Sequence, residues 1–191
     1  MIITHLGDTY FKIQSGSFTL LIDPQNSRSF KGANVIINTE RPAIVAREKN
    51  EEESFFWIEN EGEYEVGGVK IEGWTLECSK KEKTISAYRL SVEDIAVGII
   101  GPTGKEPAPE VLEKLQGVDV LILPGGGAPS IEEEEAVKLV RQIEPGFVIP
   151  SGNGSKKFFT ELGQTPKVEE KLVLKKKDVS PGAMTAVSLS S

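Results

Sequence analysis

The chain is poor in the residues that most often handle metals and redox chemistry. Among its 191 residues there is one histidine, His5, and one cysteine, Cys78. A single cysteine excludes an internal disulfide and fits a reducing compartment. Catalytic zinc sites usually take three protein ligands with histidine the commonest, and one histidine does not furnish them. His5 falls inside the first apolar run, so its plain reading is a packed or surface strand residue. No apolar run approaches the roughly 20 residues that span a bilayer, and the N-terminus carries no signal-peptide pattern. Twenty-two basic against 29 acidic residues give a net charge of −7. That argues against nucleic acid, whose binding draws on Lys and Arg. The one basic cluster, Lys171 with Lys175, Lys176 and Lys177, reads as a solvated strand end. The expectation is a cytoplasmic protein without membrane segments or a nucleic-acid partner.

What is present describes one ordinary domain over 1–191. Hydrophobic residues make up 38% and charged residues 27%, and the length allows a sizeable core. Residues 2–6, 10–14 and 18–22 alternate as three strands joined by Gly7-Asp8 and Ser15-Gly16-Ser17. Asp23-Pro24 ends the third, and 25–32 reads as a polar loop. Val35-Ile36-Ile37 is a short, fully buried strand that stops at Asn38-Thr39-Glu40-Arg41-Pro42. The acidic run Glu51-Glu52-Glu53 and the aromatic run Phe55-Phe56-Trp57 follow with no helical stripe between. Gly67-Gly68, between alternating runs, predicts a two-residue hairpin with positive φ at both positions. Further strands are expected at Trp74–Leu76, 85–90 and 95–100.

The second half changes character. Pro107 and Pro109 open a helix with Val111, Leu112 and Leu115 on one side. Val118–Leu123 is a buried strand, and Ser130 with Glu133 predicts a capping box for a helix over 131–143. A strand at 147–149, a short helix near 156–162, and strands near 172–175 and 185–189 complete the pattern.

The succession of Ile2-Ile3-Thr4 with Leu6-Gly7, Leu20-Leu21-Ile22-Asp23-Pro24, the Val35–Ile37 strand and the Gly62–Val69 hairpin resembles the metallo-β-lactamase fold, in its lactonase-like branch. The resemblance covers nearly the whole chain. It implies an α+β protein, an αββα four-layer sandwich, here with the N-terminal helix layer reduced or absent. In that family a His-x-His-x-Asp-His loop follows the central strand, and the matching places here hold Thr39, Arg41, Ala43 and Ile44. The other ligand positions fall on Asp8, near Cys78, on Pro102 beside Thr103, and on or next to Gly152. The implied ligand set is therefore missing, and no metal or cofactor is expected.

The resemblance then implies a cleft bounded by Asp8, Asp23, Thr39, Arg41, Cys78, Thr103, Ser151, Asn153 and Lys156. Arg41 stands as a fixed positive charge where the family keeps a cation, and is expected to pair with Asp8, Asp23 or another carboxylate there. Cys78 could serve as a nucleophile near Arg41, although a lone buried thiol is more often a small core residue. Ser151–Lys157 opens a helix with small polar residues and two lysines. It suits a small anion, with a plain turn as the alternative. Gly125-Gly126-Gly127 leads into Glu132–Glu135, which would repel phosphate, and reads as structural. The functional expectation is a non-catalytic binding or assembly module. The alternative is a divergent hydrolase of lactone, ester or phosphorylated substrates in the same cleft. Loss of the first helix predicts an uncovered sheet and a homodimer, with a lid from residues 43–60 as the competing account.

Overall fold

The structure, a computed structural model, describes residues 1–45, 55–78, 82–127, 130–152, 155–179 and 182–190. Strands β1 (Ile2–Gly7), β2 (Tyr10–Ser15) and β3 (Phe18–Ile22) form an antiparallel meander, and β4 (Val35–Ile37) lies parallel to β3. Two residues, β5 (Glu40–Arg41), cross to the other sheet, and β6 (Phe56–Ile58) returns beside β4. Then come β7 (Gly62–Val66), β8 (Val69–Leu76), β9 (Thr84–Val92) and β10 (Ile95–Ile100). The hairpin between β7 and β8 has φ of 59° at Gly67 and 78° at Gly68, as its glycine pair predicts.

The rest is α1 (Pro109–Leu115), β11 (Val120–Pro124), α2 (Glu133–Ile143), β12 (Phe147–Ser151), α3 (Ser155–Leu162), β13 (Lys167–Glu169), β14 (Leu172–Val173) and β15 (Thr185–Leu189). One sheet runs β14-β1-β2-β3-β4-β6. The other runs β13-β15-β12-β11-β10-β9-β8-β7, with β5 on β9. This is the α+β sandwich of two large sheets that the strand order implies.

The core lies between the sheets. Ile3, Phe11, Ile13, Ile22 and Ile37 from the first meet Ile71, Leu90, Val97, Ile122 and Ile149 from the second, all at most 2% exposed. Period-two alternation puts them there, since every second residue of a strand shares a face. The three helices pack on the outer face of the second sheet. There Val111, Leu115, Leu139, Val140, Ile143 and Phe158 meet Leu121, Leu123 and Val148. Among the described residues no α-helix covers the first sheet. Its outer residues Tyr10, Leu21 and Ile36 pack instead against Phe30 and Ala33, with Val45, Phe55 and Trp57 against the same cluster. Phe30, Phe55 and Trp57 stand edge-on to one another, with centroids 5.3 to 5.8 Å apart. No helix of the described residues is long and apolar enough to cross a membrane.

Two expectations need correction. The helix read over 131–143 starts at Glu133, and neither Ser130 nor Glu133 forms a capping box: the N-cap is Glu132, without a side-chain cap bond. Glu133 is instead buried, with its carboxylate 2.7 Å from Lys157 Nζ. The strand expected near 172–175 shrinks to Leu172–Val173, because a 3-10 turn over Lys176–Asp178, with Lys175 as its N-cap, follows two residues later.

A carboxylate-lined cleft at the strand ends

The ends of β1, β3, β4, β10, β11 and β12 converge on one edge of the sandwich, around a cavity of about 470 Å³. The first sheet contributes Asp8, Thr9, Asp23 and Asn38. The link through β5 adds Glu40, Pro42, Ala43 and Ile44. The second sheet contributes Pro102, Pro124, Gly126, Gly127, Ser130, Ser151 and Gly152. A backbone bond of 3.1 Å from Gly152 N to Asp8 O joins the two walls.

Asp23 is the anchor of this edge. It ends β3 with a left-handed φ of 48°, a conformation Asp tolerates better than most residues. Its side chain, 8% exposed, accepts from Thr39 N at 2.6 Å and from Thr39 Oγ1 at 2.5 Å. Burial pushes its carboxyl up from 3.8 to about 6, against the pull of the Thr39 and Thr9 hydrogen bonds. The loop it holds is tied to the second sheet as well. Ser86 N donates to Thr39 O at 2.8 Å, and buried Tyr88 donates its hydroxyl to Asn38 O at 3.3 Å. Burial raises the Tyr88 phenol to about 12, so it stays a donor.

The sequence-derived site residues divide. Asp8, Asp23 and Ser151 line the cleft, and Thr39 lies directly beneath Asp23. Ser151 is buried and donates to Leu123 O at 3.2 Å. Arg41 is not in the lining. Strand alternation turns it away between Glu40 and Pro42, and its Nη1 donates to Asn60 Oδ1 rather than to Asp8 or Asp23. Thr103 is fully buried, with its hydroxyl on Lys105 O at 2.8 Å. Cys78, half-buried, packs with the helix-side core. Lys156 is exposed beside a separate shallow groove with Phe159, Thr160 and Gln164. Asn153 lies outside the described residues.

Sequence reasoning missed Asn38, Glu40 and the Gly126-Gly127-Ser130 wall. The first two flank Thr39 at the end of the central strand, which was a usable signal. The charge of Glu132–Glu135 marks the glycine turn only as structural, yet it lines the cleft, and Gly126 packs hard on the buried end of α2: an added Cβ would sit 2.3 Å from Glu133 Cγ.

Residues 2–151 match the sequence model of a β-lactamase superfamily domain, and the chain belongs to that family. No curated protein matches the sequence. Among solved structures, a Thermotoga maritima protein of the metallo-β-lactamase superfamily superposes with a TM-score of 0.77 at 21% identity, covering 98% of this chain and 97% of the other. The metallo-β-lactamase fold protein YhfI from Bacillus subtilis gives 0.66 at 12% identity, with 99% and 96% covered. Igni18, a metallo hydrolase from Ignicoccus hospitalis, gives 0.65 at 13%, with 100% and 96% covered.

The fold therefore implies a metal, and the donor set does not fit one. Among the described residues no group of three His, Cys, Asp or Glu is placed to hold an ion. The cleft's three carboxylates are engaged separately: Asp8 by Gln25 Nε2 at 3.3 Å, Asp23 by Thr39, and Glu40 by Lys83.

Proposed function

We propose that this protein is a metal-independent member of its family, a cytoplasmic binding module that holds a small molecule directly on side chains. One observation carries the reading. A cleft of about 470 Å³, within the size range of small-molecule sites, persists where Thr39, Arg41, Ala43, Ile44, Pro102 and Gly152 supply no ligand set. Direct recognition there draws on Thr9, Ser130 and the carboxylates. A second reading, a divergent hydrolase, is favoured by Asp23 alone: a carboxyl near 6 in a cleft is suited to general acid–base work close to neutral pH. Elemental analysis of purified protein, with ester and lactone turnover assays, separates the two. Less than about one-tenth equivalent of transition metal and no turnover are expected. Stoichiometric zinc, manganese or iron that resists mild chelation, with turnover lost on its removal, would overturn the proposal.

A further inference from the structure

The cleft's charge is one-sided, and that bears on what it binds. Asp8, Asp23 and Glu40 line it, while no Lys or Arg of the described residues does. The cations expected to hold an anion lie elsewhere: Arg41 donates to Asn60, Lys157 pairs with Glu133, and Lys156 lines the outer groove. The glycine turn adds no attraction for an anion, since α2 begins with Glu133, Glu134 and Glu135. An anion entering this cavity would meet the carboxylates of Asp8 and Asp23, and Glu40 paired with Lys83 from outside the lining, so like charge opposes its entry.

Apolar surface forms the rest of the wall. Pro42, Ala43, Pro102 and Pro124 line the cavity, and Ile44 at its rim is 70% exposed. Hydrogen-bonding capacity comes from Ser130 and from Thr9, which also bonds Asp23, whereas Asn38 is 3% exposed and donates Nδ2 to Glu59 Oε1 at 2.9 Å. Asp23 is 8% exposed and each of its oxygens already accepts from Thr39, so the carboxylates more open to a ligand are Asp8, which is exposed, and half-buried Glu40. Glu40 holds Lys83, whose ammonium does not line the cleft. A ligand ammonium would compete for the same oxygens from the inside.

We propose that the cleft takes a small primary or secondary amine, protonated at neutral pH and carrying an apolar group. Its ammonium lies against Asp8 and Glu40, and its apolar part against Pro42, Ile44 and Pro102. The inference rests on the reading of the cleft as a binding site. It replaces the anion expected from the Ser151–Lys157 segment.

Titration calorimetry on the full chain with four matched probes tests it: cyclohexylamine, cyclohexanol, cyclohexanecarboxylate and glucose 6-phosphate. The amine should bind at least about tenfold more tightly than the alcohol, the two anions should not bind, and rising salt should weaken the amine. Asp8→Asn and Glu40→Gln should each weaken the amine about fivefold or more while leaving the alcohol unchanged. Equal binding of amine and alcohol, or tighter binding of either anion, overturns the cation inference and leaves the binding cleft standing. No heat from any probe at about 10 mM overturns both.

Discussion

At the scale of single residues, Asp23 sets a pH dependence opposite to that of most carboxylates. Its carboxyl titrates near 6 in the folded protein and at 3.8 when unfolded, so between those values the folded form holds a proton that the unfolded form has lost. Stability from this group is therefore gained as pH falls from above 6 toward 4, and the burden is fully present at pH 8. The difference corresponds to about 3 kcal/mol at most. Urea midpoints for Asp23→Asn should converge on wild type near pH 4 and exceed it near pH 8, unless the Thr39 bonds are lost with the charge. A variant less stable than wild type at both pH values would show that the Thr39 bonds outweigh desolvation. Trp57 offers a second case. Its indole Nε1 is buried without a hydrogen-bond partner. Trp57→Phe keeps an aromatic ring and removes that N–H, so thermal unfolding should show stability unchanged or raised by about 1 kcal/mol.

At the scale of elements, the strands were legible because alternation is a strong signal over five residues or more. β5 and β13, two and three residues long, carry too few alternations to register. The capping box misled because Ser-x-x-Glu is a local pattern, whereas burial of Glu133 against Gly126 and Lys157 is decided by packing. The motif position of Arg41 predicts it in the cleft, whereas the parity of the two-residue strand β5 turns it out. The fold and the placement of Asp8, Asp23 and Ser151 along one cavity were thus readable, while the direction of each loop side chain was not. Two predictions belong here. Gly101 would bring a Cβ to 2.8 Å from Ser86 O and 2.9 Å from Thr39 O, backbone atoms of the segment beneath the cleft. Gly101→Ala should lower stability by about 2–4 kcal/mol in denaturant titration and weaken cleft binding with it. Phe30→Ala, which removes a ring 8% exposed from the aromatic cover, should lower stability by about 3 kcal/mol without touching the cleft.

At the scale of the molecule, the aromatic cover changes the argument for assembly. Phe30, Phe55 and Trp57 shield β3 and β4, so a partner subunit is not needed there. The homodimer proposal moves to the other end of that sheet, where Leu6 is 41% and Val173 55% exposed on neighbouring strands. Under it, sedimentation velocity at micromolar concentrations should show a dimer, and Val173→Lys should return it to monomer. A monomeric wild type would remove the proposal.

Within residues 167–189 the chain lays β13 on the second sheet, β14 on the first, and β15 back on the second. β15 is clasped between β12 and β13, and β14 closes the free edge of β1. Without residues 167–189 both sheets lack their outermost neighbours at the same end. A fragment ending at residue 151, the limit of the family match, would leave β1 and β12 with open edges and is expected to aggregate rather than fold. Loss of its dispersed amide spectrum, set against the full chain, is the measurement. Residues 167–189 thus stitch both sheets together at one end.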